Sequence, residues 1–204
     1  MSSSSDDCSA KFEHSSLDGS PGAIRLLTVL PGSDVGEVKC KLWEANLHET
    51  EYTAISYQWS DPTRLFRISV NSQHFHVRKN LFDFLRMAHT SGLTGPFWID
   101  AICIIQHDIR ERNSQVRIMG QIYSAAVEVW VWLGTCLTTL CASVADVFRK
   151  LHLSKPDEIH ELEMDWCMRT GDPRQQILNE VIYNEYWTRL WVVQEFLKAK
   201  SVLL

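Results

Sequence analysis

Gly95-Pro96-Phe97-Trp98-Ile99-Asp100-Ala101-Ile102-Cys103-Ile104-Ile105-Gln106 is an apolar run with strand character, broken by one carboxylate and closed by an amide. A buried strand rarely accepts an unpaired charge, so Asp100 either has a specific partner or stands at a strand end facing a cleft. From Arg110 to Ala126, Val116, Met119, Ile122 and Tyr123 fall on one stripe, with Glu111, Arg112 and Arg117 largely off it. This predicts an amphipathic helix. Val127-Glu128-Val129-Trp130-Val131-Trp132-Leu133 then reads as a strand that stops at Gly134, with enough apolar residues for burial on both faces. Strand, helix and strand in succession predict a right-handed βαβ crossover. The fold class is therefore α/β, an open and mainly parallel sheet flanked by helices.

Toward the N-terminus, Ile24 to Leu30 stops at Pro31-Gly32, and Val38 to Leu47 alternates weakly; both predict strands. Tyr52-Thr53-Ala54-Ile55-Ser56-Tyr57-Gln58-Trp59 is rich in β-formers and gives way to Ser60-Asp61-Pro62, a loop signal. Arg67 to Val70 and His74 to Val77 flank Asn71-Ser72-Gln73 as a hairpin, so strands are added on the N-terminal side of the sheet. Asn80 is placed to cap a helix carrying Leu81, Phe82, Leu85, Met87 and Ala88 at helical spacing, ending near Ser91-Gly92. Residues 1–22 are Ser-rich, polar and without period, which predicts a disordered arm ahead of one domain over 23–204.

Beyond Gly134, residues 137–185 are mostly helical in pattern, interrupted at Lys155-Pro156 and Gly171-Asp172-Pro173. A further helix is expected from Tyr186 to Ala199, and Ser201-Val202-Leu203-Leu204 begins a strand. A chain closing on apolar residues leads us to expect a domain cut short of its C-terminal end.

The chain has 204 residues, 45% hydrophobic and 22% charged, with a net charge of -5. That composition belongs to a globular protein and argues against nucleic acid or an anionic membrane surface as the main partner. Six cysteines without a CxxC pair fit reduced thiols in a cytoplasmic protein, and the acidic, Ser-rich start carries no signal-peptide core. The longest uncharged run, Val129 to Ala145, falls short of a membrane span.

Among residues that could carry chemistry, Trp191 and Glu195 stand four apart, so on a helix the carboxylate shares a face with an indole. An apolar wall would raise that carboxyl's pKa and suit it to acid–base or electrostatic work. The bland alternative is that Trp191 is core and Glu195 pairs with Arg189 or Lys198. His74 and His76 lack a third ligand at a telling spacing, so hairpin polarity accounts for them better than a metal does. Cys103 beside Asp100 could be a nucleophile, although a lone Cys in an apolar run is usually inert core. There is no GxGxxG, P-loop, GxSxG or HExxH pattern, and no cofactor is expected.

Taken together, Tyr52 to Trp59, Trp98 to Gln106, Glu111 with Gln115-Val116, Met119 and Ile122-Tyr123, Val131 to Gly134, and Arg189 to Glu195 resemble the heterokaryon incompatibility (HET) domain of filamentous fungi. Ile24 to Leu27 followed by Pro31-Gly32 resembles the usual start of that domain. Two positions depart from the family's usual pattern. Ser60 stands where Gly follows the tryptophan of the first block, and Ile105 stands where Asn precedes the glutamine of the second. Gly permits positive φ and Asn tolerates it, so an altered loop after Asp100 is expected.

The resemblance implies an effector of fungal non-self recognition that triggers programmed cell death through self-association or partner binding. It also implies a remote likeness to the Toll/interleukin-1 receptor (TIR) domain, in which a Trp-x-x-x-Glu glutamate cleaves NAD. Trp191 to Glu195 fits that spacing. On this alternative NAD is a substrate, Glu195 is catalytic and Asp100 or Tyr57 lines the pocket; the binding residues expected for the domain are Asp100, Tyr57, Trp59, Gln106, Trp191 and Arg189. A third reading is an inactive fragment of the domain.

Overall fold

A computed structural model of the chain describes residues 10–32, 36–134, 179, 181–189, 195 and 198–203. They fall in two units, residues 1–132 with 190–204, and residues 133–189.

The first unit is built on one sheet. Its strands are β1 (Ala23–Val29), β2 (Lys39–Asn46), β3 (Thr53–Tyr57), β4 (Leu65–Val70), β5 (Gln73–Arg78), β6 (Phe97–Trp98), β7 (Glu128–Trp132) and β8 (Val202–Leu203). They lie in the order β5-β4-β2-β1-β6-β3-β7-β8. The α/β class holds, but the sheet is mixed rather than mainly parallel. β6, β3, β7 and β8 run parallel to one another, as does β4 beside β2, while β1 is antiparallel to both β2 and β6 and β4 is antiparallel to β5. The mixture comes from the N-terminal strands, where the consecutive pairs β1–β2 and β4–β5 are joined by connections short enough for antiparallel pairing.

The strand expectations for the N-terminal half are met to within a few residues. The hairpin turn is tighter than three residues: Asn71 and Ser72 alone form it, at φ 49° and 66°, the left-handed pair that matches strand twist. Helix α1 (Lys79–Ser91) ends at left-handed Gly92, as its sequence predicts. Its N-cap is Arg78 rather than Asn80, and no Arg78 side-chain bond serves the cap. The Ser60 hydroxyl accepts the Asn80 N–H instead, at 3.1 Å. Asn80 is drawn elsewhere, donating to the Gln58 carbonyl and accepting from the Trp132 indole, both at 2.8 Å.

The apolar run from Phe97 is a strand for only two residues. Asp100–Cys103 is a helical turn, α2, and the chain then leads to helix α3 (Ile109–Ala125), capped by the Asp108 carboxylate. A short apolar run fits a buried helical turn as well as a strand, and periodicity alone cannot separate them. On α3, Met119, Ile122 and Tyr123 are buried as expected, but Val116 is exposed and Gln115 takes the buried place, donating to the Ala23 carbonyl. The crossover through α3 joins β6 to β7 with β3 between them.

The register assigns the faces. Ala54 pairs with Trp98 and Val129, and Ser56 with Val131, whereas Thr53 pairs with Phe97 and Tyr57 with Trp132. Alternation therefore puts Ala54, Ser56 and Trp98 on one face and Thr53, Ile55, Tyr57 and Phe97 on the other. Tyr123 of α3 meets Trp98 edge-on at 5.5 Å, and Phe84 of α1 meets Phe97 and Trp132, so the two helices cover opposite faces. β7 is not buried on both sides: Val129 and Val131 are buried, but Glu128, Trp130 and Trp132 are only half-buried.

From Ala10 onward the polar N-terminal segment carries more order than its composition predicts. Lys11 bridges to His74 of β5, and Phe12 is buried against the core. His14 bonds the Ile102 carbonyl at 2.7 Å.

In the second unit, a 3₁₀ helix spans Glu185–Thr188 and Arg189 is extended, so no continuous α-helix begins at Tyr186. Asn184 caps that turn and also donates to the Leu133 carbonyl. Glu195 and Lys198, in the first unit, are helical. The helical patterns expected over 137–178 lie outside the described residues.

Candidate site at the carboxyl ends of the parallel strands

β6 and β3 run parallel, so the chain leaves both at the same edge of the sheet. Open α/β sheets bind ligands at this edge. The loop after β3 carries Trp59, and the turn after β6 begins with Asp100. The Trp59 indole N–H donates to the Asp100 carboxylate at 3.1 Å. That carboxylate also takes the Ala101 N–H at 2.7 Å, while the Gln106 side chain donates to the Asp100 carbonyl at 2.7 Å. The structure thus brings together three residues expected from sequence, Trp59, Asp100 and Gln106.

Sequence reasoning missed the fourth member. The Arg78 guanidinium lies over the Trp59 ring, 4.8 Å from its centroid, and donates to the Ser60 carbonyl at 3.0 Å. The cluster therefore places a carboxylate, an indole and a guanidinium side by side. Trp59 keeps 36% of its surface exposed, and Asp100 and Gln106 are half-buried, so a partner could reach all three. Ser60 and Ile105 have ordinary negative φ, since Asn71 and Ser72 are the only non-glycine residues at positive φ among those described. Neither departure from the family pattern thus needs a left-handed backbone. Ile105 is buried, with its N–H bonded to Glu111 at 2.9 Å.

Glu195 is fully buried, and the Ser56 hydroxyl donates to its carboxylate. Ser56 lies on the Trp98 face of β3, next to the last residue of the strand. Tyr57 is also buried but belongs to the opposite face by alternation, so it and Glu195 do not share a side of the sheet. Trp191 lies outside the described residues. Arg189 belongs to the second unit, where its guanidinium stands 5.4 Å from the Tyr186 ring centre.

Burial pushes the Cys103 thiol up to about 12, and the Cys40 thiol likewise, so both are inert core at neutral pH. Among the described residues no group of three or more His, Cys, Asp or Glu is arranged to hold a metal. No helix among them is long and apolar enough to cross a membrane.

Behind the cluster lies a buried ion pair that the sequence did not announce. Arg25 of β1 reaches Glu111 of α3 through two bonds, and also donates to the carbonyls of Cys103 at 2.9 Å and Ser15 at 2.6 Å. Burial would raise the Glu111 carboxyl, but bonds from Arg25 and from the Ile105 N–H hold it below its ordinary value. This pair fixes the segment from Asp100 to Gln106 onto the sheet.

These features define an α/β domain with a mixed sheet whose exposed polar cluster gathers where parallel strands end. The family described as Heterokaryon incompatibility protein (HET) matches residues 52–195, most of the chain, and the chain belongs to that family. It is similar to heterokaryon incompatibility protein 6, OR allele, of Neurospora crassa, at 29% identity over 217 aligned residues. That match takes in 85% of this chain and 31% of the relative, so the chain spans about a third of the relative's length. No solved structure matches the chain.

Proposed function

We infer that the chain serves as a HET-type effector of fungal non-self recognition, acting in heterokaryon incompatibility and triggering programmed cell death through self-association or partner binding. The observation that carries this reading is the family match over residues 52–195, which takes in the Trp59–Asp100 cluster and the Ser56–Glu195 contact. The similarity to an incompatibility protein supports it. The exposed indole and its neighbouring guanidinium suit a protein contact, because aromatic and arginine side chains dominate interface energetics. The test is expression in a compatible fungal host, with and without a fused dimerising module. Arrested growth on forced association is expected, and normal growth under both conditions would overturn the reading.

A second reading is favoured by Glu195. A carboxyl wholly withdrawn from water beside the carboxyl end of a parallel strand is costly to keep unless it is bonded, and Ser56 bonds this one. With the Trp-x-x-x-Glu spacing, this supports cleavage of NAD in which Glu195 stabilises positive charge developing on the ribose. Concentrated protein should then release nicotinamide, and Glu195→Gln should not.

A further inference from the structure

Four of the eight histidines converge on one cleft although they come from three distant stretches of sequence. The cleft, about 610 Å³, is lined by Lys11, Glu13 and His14 of the N-terminal segment, by His74 and His76 of β5, and by His107 of the loop before α3. Its apolar wall is formed by Phe12, Phe75, Leu65 and Ile104. Phe12, His14 and Phe75 pack edge to face, with ring centres 4.9 to 5.9 Å apart. A space of this size accepts a small organic molecule.

We propose that this cleft binds a small amphipathic anion, a carboxylate or phosphate carried on an apolar, planar body, and that protonation of its imidazoles controls the affinity. The polarity of the lining argues for an anion. With the imidazoles neutral, Lys11 and Glu13 balance, and each proton gained adds one positive charge facing a single carboxylate. Arg67 of β4, whose guanidinium is 3.5 Å from the His74 ring, is paired with Glu37 at 3.4 Å, so the two together leave the charge at the rim unchanged. Behind His14 stand Arg25 and Glu111, already paired with each other. A metal does not explain the histidines, since they are not arranged as a ligand set. The aromatic wall argues for the body, because flat rings favour edge-to-face and offset contacts with another flat ring. The cleft also borders the loop cluster, because Gln106 both lines it and donates to the Asp100 carbonyl.

Burial is the main reason His14 is held below the usual histidine range, with repulsion from Arg25 and His107 adding to it. His14 therefore contributes a neutral donor or acceptor at conditions where an ordinary imidazole is charged.

The test is titration of the full chain with 1-naphthyl phosphate, followed by the ring-proton NMR signals of the histidines at about pH 6 and about pH 8. Inorganic phosphate and 1-naphthol serve as the separate head and body. Saturable shifts are expected, with binding at least about tenfold tighter at the lower pH and at least about tenfold weaker for either part alone. A phosphate monoester gains negative charge as pH rises through its second pKa near ~6, so weakening at the higher pH would come from the protein. The double variant His74→Gln/His76→Gln, shown by its melting curve to be folded, should lose most of the pH dependence. If no signal saturates at about pH 6, or 1-naphthol binds as tightly as its phosphate, the proposal is overturned. Affinity that is equal at the two pH values, or unaltered in the double variant, would overturn it as well.

Discussion

Arg25 and Glu111 meet through two parallel N–H···O bonds of 2.7 and 2.8 Å, with the guanidinium side chain 2% exposed and the carboxylate 11%. The pair joins β1 to the start of α3 and, through the Cys103 carbonyl and the Ile105 N–H, pins the turn between them. Such a pair couples the core to the loop that carries Asp100 and Gln106.

Removing one partner strands the other in a dry setting. Glu111→Ala should lower unfolding free energy by about 3–5 kcal/mol, whereas Arg25→Met with Glu111→Leu should cost much less, because no uncompensated charge remains. Urea unfolding of the three chains checks this. Equal losses in the single and double variants would contradict it.

Acid should destabilise the fold through the same region. Glu111 and His14 both bind protons less readily folded than unfolded. A depressed folded pKa gives stability that is complete above the unfolded value and lost as pH falls through the folded one. The His14 share should therefore fade as pH drops below the ordinary histidine range, and the Glu111 share below the ordinary carboxylate range. Melting temperature measured against pH should fall in two stages, and Glu111→Gln should flatten the lower one.

Trp59 and Asp100 are exposed enough that their bond adds little stability. Trp59→Phe and Asp100→Asn should each cost under about 1 kcal/mol. If the cluster is the contact surface for self-association or a partner, both variants should abolish growth arrest in the forced-association assay while melting like the parent chain. Full arrest by both variants would remove the cluster from the mechanism.

Ser56 and Glu195 give a contrasting pair, buried and structurally sensitive. Ser56→Ala removes one donor to a buried carboxylate and should cost about 1–3 kcal/mol. Glu195→Gln keeps an oxygen to accept the hydroxyl and nearly the same shape, replacing the other oxygen with an amide nitrogen, so it tests chemistry more than folding. Equal nicotinamide release by the parent and Glu195→Gln chains would sink the NAD reading, and a cooperative melt of the parent would count against an inactive fragment.

How far the sequence could be read followed from which information was local. Alternation and turn residues located β1 to β5, because both signals lie within a few residues. The run after Trp98 misled, since Ile99 to Ile105 is as apolar in a buried helical turn as in a strand. Gln115 took a core place that Val116 was expected to hold because the Ala23 carbonyl needed a donor, and that need is visible only once α3 lies on β1. Within the candidate site, Asp100 stood out as a lone charge, and Trp59 and Gln106 through their blocks. Ser56 gave no sign, being a small polar residue inside a β-rich run. Arg78 and the four histidines could not be grouped from sequence, since residues 14, 74, 76 and 107 become neighbours only through the fold.

The backbone of residues 10–12 runs along the start of β5, with the Phe12 N–H bonded to the His74 carbonyl at 2.8 Å and the His74 N–H to the Ala10 carbonyl at 3.0 Å. Among the described residues β5 is the last strand on its side of the sheet, and an open strand edge invites another chain to add to it. The short polar segment thus works as a guard against edge-to-edge aggregation. Deleting it should uncover that edge and make the protein prone to precipitate as its concentration rises.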